Sequence, residues 1–472
     1  MKVKQYYLGC LSHASYMITD DKSRTAAVVD PQRDIEQYLL DAAKGGHTIK
    51  YVFLTHFHAD FLAGHIELRD KTNAAIYIGR RGQTEYPATH VKDGDRIEFG
   101  DVRLEILETP GHTPEGISIL VYDLAQSGDQ PYAVLTGDTL FIGDVGRPDL
   151  LASIGVTADE LADMLYDSLR QKLTTLPDAT LVYPAHGAGS MCGKNLSSDT
   201  VSTIGEQKKF NYALQPMSRA EFKAIVTAEQ PEAPGYFIHD ALLNRQERSS
   251  LDATLAKSLQ GINLEQVLGL VDQGAQLLDV REAIDFEGAH LAGALNIPIH
   301  GKFATWCGTM LNHTEPIVVI AEPGREQEAI LRLGRIGFDN VLGYLSGGMT
   351  MLESRPDLVR RIDRITAVAL AGQQATTGAP VVVDVRTAKE WAGGHIPNSL
   401  NVPLNHLRQS LAELPPARTV VVHCEGGYRS AIAASMLTQA GRSNVMDLVG
   451  GFKAWQASKL PIEMGTSVVP EA

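Results

Sequence analysis

The sequence is poor in cysteine, in tryptophan and in long apolar runs. Its 472 residues include only 4 cysteines and 3 tryptophans, and the cysteines (Cys10, Cys192, Cys307 and Cys424) form no CxxC pair. A disulfide framework is therefore not expected, whereas reduced thiols in the cytoplasm are. No stretch approaches the roughly 18 apolar residues of a membrane-spanning helix, and the N-terminal segment lacks the apolar region of a signal peptide.

Clustered positive charge is also missing. The net charge is -14, with 42 lysines and arginines against 56 aspartates and glutamates mixed along the chain. Nucleic acids and anionic membranes both favour clusters of Lys and Arg, so neither is expected as a partner. Hydrophobic residues make up 44% of the sequence, which is ordinary for globular domains with a buried core. A prior of roughly 150 residues per domain predicts about three domains.

The sequence does contain an internal repeat. The segment LLDVREAIDFEGAHLAGALNIP, which includes Asp279, matches VVDVRTAKEWAGGHIPNSLNVP, which includes Asp384, 105 residues further on. Each copy predicts apolar strands that alternate with helices, and this order indicates a parallel α/β sheet. We therefore predict two similar α/β domains, over residues 259–361 and 362–466.

A first domain is predicted over residues 1–240, with a connector at 241–258. Near its end, Ser218 and Glu221 have the spacing of a helix capping box. Earlier in this domain, short apolar strands alternate with polar turns, and several strands end in a histidine or an aspartate. Strand ends are where α/β sheets usually build their sites.

Strand-end loops of the first domain hold a set of metal-ligand side chains. The set comprises His56, His58, Asp60, His112, Asp138 and His186. A lone histidine at a strand end is more often structural, but imidazoles and carboxylates gathered in this number predict a metal site.

The order of these ligands resembles that of a known family. The pattern H-x-H-x-D from His56, then GHT, GD and a late PAH, is similar to the motif set of the metallo-β-lactamase superfamily. The resemblance implies an αββα sandwich for the first domain. It is less specific about the reaction, because the superfamily includes thioester hydrolases, lactonases, nucleases and iron-dependent dioxygenases.

One departure from the family pattern narrows the choice. Binuclear hydrolases of the superfamily read H-x-H-x-D-H, whereas this sequence has Phe61 at the last position, so a second metal loses one imidazole. His65 is an alternative donor, although we interpret it as part of the following helix. What remains is a set of two histidines and one carboxylate (His56, His112 and Asp138), which is favoured for non-heme Fe(II) and O2 chemistry.

Resemblance to the persulfide dioxygenases implies the same three ligands, with one Fe(II) per chain. In that interpretation His58, Asp60 and His186 orient the ligands and the substrate. The competing assignment is Zn2+ bound by His56, His58 and His112, as in a glyoxalase II-like hydrolase of thioesters or lactones.

Arg147 and Cys192 are candidates for substrate contact. Arg147 and Asp149 resemble the GRxD segment of persulfide dioxygenases; Arg147 either holds an anionic substrate group or pairs with Asp149 in a structural ion pair. Cys192 follows His186 by six residues. It either carries a persulfide or is a small buried side chain.

In the second repeat copy, Cys424 stands directly after an apolar strand and before a helix. The loop CEGGYR can wrap backbone N–H groups around the sulfur, and Arg429 adds positive charge, as a sulfur nucleophile requires. With the flanking DVR and LVGGFKAW segments, this loop resembles the rhodanese sulfurtransferases. The first copy has Ala321 in place of Cys424 and Glu326 in place of Arg429, so we predict that it is inactive.

These features predict a persulfide dioxygenase fused to two rhodanese-like domains and active in sulfide detoxification. It would oxidise a persulfide of glutathione, coenzyme A or a similar thiol with O2, giving sulfite and thiol. Cys424 would transfer sulfane sulfur, with thiosulfate as a product. A homodimer is the default expectation. The alternatives are the zinc hydrolase and a regulatory sulfur-relay protein whose first domain only binds metal.

Overall fold

The structure is a computed structural model that describes residues 1–150, 155–228, 230, 232–416 and 418–465. The chain divides into two units, Met1–Thr254 with Gly334–Gly337, and Leu255–Leu333 with the chain from Phe338 onward. The domain limits drawn from the sequence stay predictions, and the limit at residue 466 lies outside the described residues. Within the described part, every helix is too short or too polar to cross a membrane.

The first unit consists mainly of strands. Its strands are β1 (Lys2–Leu8), β2 (His13–Asp20), β3 (Thr25–Val29), β4 (Thr48–Phe53), β5 (Ala75–Gly79), β6 (Thr89–Val91), β7 (Arg96–Phe99), β8 (Val102–Glu108), β9 (Ile117–Asp123), β10 (Ala133–Gly137), β11 (Leu181–Pro184) and β12 (Ser202–Thr203). The helices up to residue 258 are α1 (Glu36–Gly45), α2 (His65–Thr72), α3 (Ala158–Asp167), α4 (Ile204–Phe210), α5 (Arg219–Thr227), α6 (Phe237–Leu243) and α7 (Leu251–Ser258).

Two sheets pack face to face in this unit. One has the order β1-β2-β3-β4-β5-β6 and the other β12-β11-β10-β9-β8-β7. Apolar side chains of both sheets share one core, for example Ile18 and Phe53 with Ile119 and Leu135. The stacking follows from the alternation of side chains along each strand, which gives every sheet an apolar face to bury.

Helices cover the outer faces of both sheets. Tyr38 of α1 packs with Val28 of the first sheet, and Phe222 of α5 packs with Val134 of the second. Helix α5 begins at the predicted capping box, since the Ser218 side chain accepts from the Glu221 amide. The layers run helix, sheet, sheet, helix, which confirms the predicted αββα sandwich.

The second unit contains the repeat. Its strands are β13 (Gly261–Ile262), β14 (Gln276–Asp279), β15 (His290–Leu291), β16 (Leu295–Asn296), β17 (Ile317–Ile320), β18 (Val341–Leu345), β19 (Val359–Arg360), β20 (Asp363–Ile365), β21 (Val381–Asp384), β22 (Leu400–Asn401), β23 (Val420–His423) and β24 (Val445–Leu448). Its helices are α8 (Leu264–Asp272), α9 (Ala283–Gly288), α10 (Phe303–Met310), α11 (Glu326–Gly334), α12 (Ala367–Gln374), α13 (Ala388–Ala392), α14 (Leu407–Ser410), α15 (Tyr428–Gln439) and α16 (Gly451–Ala457).

Each copy of the repeat forms a parallel sheet with the same strand order. The orders are β13-β18-β17-β14-β16 and β20-β24-β23-β21-β22, and all pairings within them are parallel. The central strands β17 and β23 are buried along their whole length, as expected for strands covered on both faces. The predicted duplication of a parallel α/β domain is confirmed.

Candidate functional sites

His56, His112 and Asp138 converge on one point in the first unit. Their ligand atoms lie within 4.8 Å of one another, and all three side chains are buried. Nε2 of His56 is 3.7 Å and Nε2 of His112 is 3.5 Å from Oδ2 of Asp138. The residues follow β4, β8 and β10, so three strand ends build the triad.

Neighbouring groups orient both imidazoles of the triad. Nδ1 of His112 donates to the carbonyl of Arg147 at 2.9 Å. The hydroxyl of Thr55 donates to Asp30 at 2.8 Å, and Nδ1 of His56 is 3.0 Å from that hydroxyl oxygen. Since the Thr55 proton is already used, His56 must be the donor of the second bond. Both rings are therefore protonated at Nδ1, which leaves the Nε2 lone pairs directed at the site.

The charges of the triad suit a divalent metal. Burial lowers the pKa of His56 well below its usual value, and it also lowers the pKa of His112. Burial alone would raise the pKa of Asp138, but His186 holds it well below its usual value. Two neutral imidazoles and one carboxylate are the donor set of mononuclear iron sites with open coordination positions.

Close approach of a loop to the triad requires glycine at position 146. A Cβ atom on Gly146 would lie 1.8 Å from the carbonyl oxygen of Asp138 and 3.0 Å from Cβ of His112. The first distance is sterically impossible and the second is very tight, so any larger residue would displace the loop that carries these ligands. Beside the triad, a small pocket is lined by Thr55, Thr109, Thr113 and Thr139 among others.

His186 bridges two carboxylates next to the triad. Its Nδ1 is 2.7 Å from Asp138 and its Nε2 is 3.0 Å from Asp60. Burial alone would lower the pKa of His186, but Asp138 and Asp60 raise it well above the usual value. His186 thereby fixes the orientation of Asp138, while the ligand atoms of His58, Asp60 and His186 form a second cluster within 4.8 Å.

Phe61 lies against this second cluster. Its ring centroid is 4.5 Å from that of His58 and 4.1 Å from that of His13. Nε2 of His58 is 3.1 Å from Asp30. His65 starts α2 and packs against Tyr86, and among the described residues it belongs to none of the clusters able to hold a metal. Phe61 thus stands at the last position of the H-x-H-x-D-H pattern, where that pattern has a histidine.

The two candidates for substrate contact have protein partners. Arg147 makes a bidentate ion pair with Asp149, at 2.7 and 2.6 Å, and is 2% exposed. Arg147 therefore forms the structural ion pair with Asp149 that was the alternative to a substrate contact. Cys192 is buried within 4.8 Å of Asp138 and His186, and burial raises the pKa of its thiol well above the usual value. Substrate contact by either residue stays a prediction.

Cys424 lies at the start of a turn that ends in α15. The amide of Gly427 donates to Sγ of Cys424 at 3.1 Å, and Sγ is 3.7 Å from the hydroxyl oxygen of Ser430. Gly427 has a φ of 114°, a conformation that favours glycine. The loop therefore directs a backbone N–H and a helix N-terminus at the sulfur.

Arg429 has a partner that the sequence did not indicate. Both of its terminal nitrogens bind Glu390, at 2.8 and 2.6 Å. Glu390 also completes the capping box of α13 with Thr387. The positive charge near Cys424 is thus held in place by an acid from another helix. In the first copy, Ala321 follows β17 at the position of Cys424. Alanine has no thiol, so a persulfide cannot form there.

Sequence reasoning did not identify Asp30, Thr55, Glu390 and Ser430 as parts of the two sites. Asp30 follows the apolar strand β3 in AAVVD, so the strand-end signal used for the metal ligands could have found it. Thr55 directly precedes His56 and could have been found by adjacency. Glu390 carries no such signal, since its role depends on the packing of α13.

Comparisons with known proteins match the first domain and both copies of the repeat to known families. A family model for the metallo-beta-lactamase superfamily matches residues 8–186, and one for the rhodanese-like domain matches residues 263–354 and 367–458. The chain is 31% identical over 213 residues to the mitochondrial persulfide dioxygenase ETHE1 of Bos taurus, covering 45% of this chain and 75% of that protein.

Other relatives include hydrolases. The chain is 34% identical over 215 residues to a hydroxyacylglutathione hydrolase of Thermosynechococcus vestitus, covering 45% of this chain and 77% of that protein. Among solved structures, a metallo-beta-lactamase from Staphylococcus aureus subsp. aureus COL superposes with a TM-score of 0.65 at 32% identity, covering 73% of this chain and 98% of that chain.

Proposed function

Since the chain belongs to the metallo-beta-lactamase superfamily and carries two rhodanese-like domains after that domain, we propose that it is an Fe(II)-dependent persulfide dioxygenase coupled to sulfurtransfer through Cys424. The reaction would be R-S-SH + O2 + H2O → R-SH + SO3²⁻ + 2 H⁺, with glutathione, coenzyme A or a similar thiol as R-SH. The alternative from the same superfamily is hydrolysis of a thioester or lactone.

The presence of Phe61 favours the dioxygenase reaction over hydrolysis. A hydrolase that activates water between two metals needs a full second ligand set. The second cluster here has His58, Asp60 and His186, and the Phe61 ring packs against His58 without adding a ligand. In the first cluster, neighbouring groups orient both histidines and the carboxylate. This asymmetry supports a mononuclear site.

An iron(II) ion held by His56, His112 and Asp138 would supply the redox chemistry that activates O2. The protein's own residues prepare the site for it. Arg147 and Thr55 fix the imidazole tautomers, and His186 fixes the carboxylate. Thr113, whose buried hydroxyl finds no hydrogen-bond partner among the described residues, is a candidate donor to the substrate in the threonine-lined pocket.

Sulfurtransfer would proceed on Cys424. Its thiol attacks the outer sulfur of R-S-SH, so that the S–S bond breaks, R-SH leaves and a Cys424 persulfide remains. Sulfite then takes the outer sulfur, giving thiosulfate and the free thiol. The Gly427 amide and the α15 N-terminus stabilise negative charge on the sulfur in both steps.

Oxygen uptake tests the proposal directly. Iron-loaded protein is expected to consume O2 with glutathione persulfide or coenzyme A persulfide, and the sum of sulfite and thiosulfate formed should equal the O2 consumed. His112→Ala should abolish uptake because it removes a ligand, whereas His90→Ala, a replacement of an exposed histidine, should not affect it.

The hydrolase alternative predicts a different outcome. Hydrolysis of a glutathione thioester by zinc-loaded protein, together with no O2 uptake by iron-loaded protein with either persulfide, would refute the dioxygenase proposal and favour the hydrolase.

A further inference from the structure

Helix α15, which begins directly after the Cys424 loop, is bound along one face by the first rhodanese-like copy. The hydroxyl of Tyr428 donates to the carbonyl of Pro298 at 2.8 Å. The backbone N–H of Asn296 donates to the hydroxyl oxygen of Ser435 at 3.0 Å. Near the end of the helix, the side chain of Gln439 donates to the carbonyl of Gly293 at 3.0 Å.

These contacts form one continuous line. Tyr428, Ser435 and Gln439 are spaced by seven and four residues, which places them on one face of a helix. Their partners are backbone groups of the short segment 293–298, which includes β16. Since only backbone atoms of the first copy take part, this contact does not depend on a nucleophile in that copy.

Tyr428 is the member of the line nearest to Cys424 in the sequence. It follows Gly427, whose amide donates to Sγ of Cys424. A Cβ atom on Gly301 of the first copy would lie 3.3 Å from the Tyr428 ring, so the ring packs against backbone of that copy. Burial of the phenol raises the pKa of Tyr428, and the hydroxyl therefore remains a proton donor to Pro298.

We infer that Tyr428 is a positioning residue and that the first rhodanese-like copy, which lacks a nucleophile, holds the Cys424 loop in its sulfur-binding shape. Anchoring Tyr428 holds the residue directly after Gly427, and this restrains the Gly427 backbone, whose N–H binds the sulfur. The inference rests on the proposed role of Cys424 in sulfurtransfer.

The test uses the full chain with Tyr428→Phe, which retains the ring and removes the hydroxyl. The rate of Cys424 alkylation by iodoacetamide is measured against pH by mass spectrometry of the peptide that contains it. We expect the rate at pH 7 to fall about three- to tenfold, and the half-maximal rate to move to higher pH. In sulfur transfer from glutathione persulfide to sulfite, kcat should fall and KM should stay the same.

Two further variants make the result specific. Ser435→Ala removes the next contact on the same face and should shift the pH profile in the same direction. Tyr344→Phe makes the same chemical change in the first copy, on β18, and should behave like the wild type. Wild-type pH profiles for both Tyr428→Phe and Ser435→Ala would overturn the inference.

This test separates the inference from the proposed function. If wild-type Cys424 accepts no sulfur from a persulfide but the alkylation profile still shifts in Tyr428→Phe, the sulfurtransfer proposal fails and the positioning role stands. If sulfur transfer occurs and neither variant alters the profile or kcat, the positioning role fails and sulfurtransfer stands.

Discussion

Phe61 illustrates how one side chain can decide between one metal ion and two. Its ring is buried beside the imidazoles of His58 and His13. Asp60 and His186 remain in place and, with His58, form a cluster that could hold a second metal. Zinc in proteins usually has four ligands, and this cluster lacks the imidazole at position 61, so we expect it to bind metal weakly.

Phe61→His should therefore restore a second metal. We expect the metal content after incubation with Zn2+ and dialysis to rise from about one toward two ions per chain, because the new imidazole joins Asp60 and His186. Elemental analysis measures this directly.

The matched control for this prediction is Phe57→His. Phe57 is also buried, but its ring faces the guanidinium of Arg245, so a histidine there should add no metal. A Phe61→His protein that has native circular dichroism and an unchanged metal content would contradict the role given to Phe61.

Among the packed elements of the second unit, α9 and β24 bring two acidic side chains together. Glu287 is 1% exposed and binds Arg364 at 2.9 Å. Burial raises the pKa of Glu287 from 4.5 to about 7, although Arg364 opposes the shift. Burial and the charge of Glu287 also raise the pKa of Asp447 well above its usual value.

The Glu287 shift predicts a pH dependence of stability. Between pH 4.5 and 7 the folded state retains a proton that the unfolded state has lost, so the free energy of unfolding decreases as the pH rises. Glu287→Gln removes this ionisation, and its stability relative to the wild type should increase by about 1–3 kcal/mol from pH 4.5 to 8.

Denaturation followed by tryptophan fluorescence can measure this change in the second unit alone, because Trp306, Trp391 and Trp455 all lie there. A difference between Glu287→Gln and wild type that is constant with pH would contradict the prediction. Glu265→Gln, which replaces an exposed glutamate on α8, is the control.

Local patterns predicted the elements well, and they predicted side-chain partners less well. The apolar strands that precede His56 and Cys424 and the capping box of Ser218 are readable from consecutive residues, and the structure has them. The ion pair of Arg429 with Glu390 joins residues 39 positions apart. Such a pair depends on how α13 packs, which no local pattern in one sequence records.

For the molecule as a whole, the proposed oxidation and the proposed sulfurtransfer take place in different domains. Cys424→Ser should therefore leave O2 uptake with glutathione persulfide unchanged, while thiosulfate formation stops and sulfite accumulates. Ion chromatography of the products distinguishes the two anions.

Cys10→Ser, at a partly exposed cysteine of the first unit, should leave both products as in the wild type. Loss of O2 uptake in Cys424→Ser, or thiosulfate formation at the wild-type rate, would contradict the division of roles between the domains.

The metal content of the protein, purified without added metal, tests the central claim most directly. We predict about one iron per chain, bound at His56, His112 and Asp138, and loss of that iron in Asp138→Ala. Two zinc ions per chain would contradict it, because the second cluster would then bind metal despite Phe61 and the site would be that of a binuclear hydrolase.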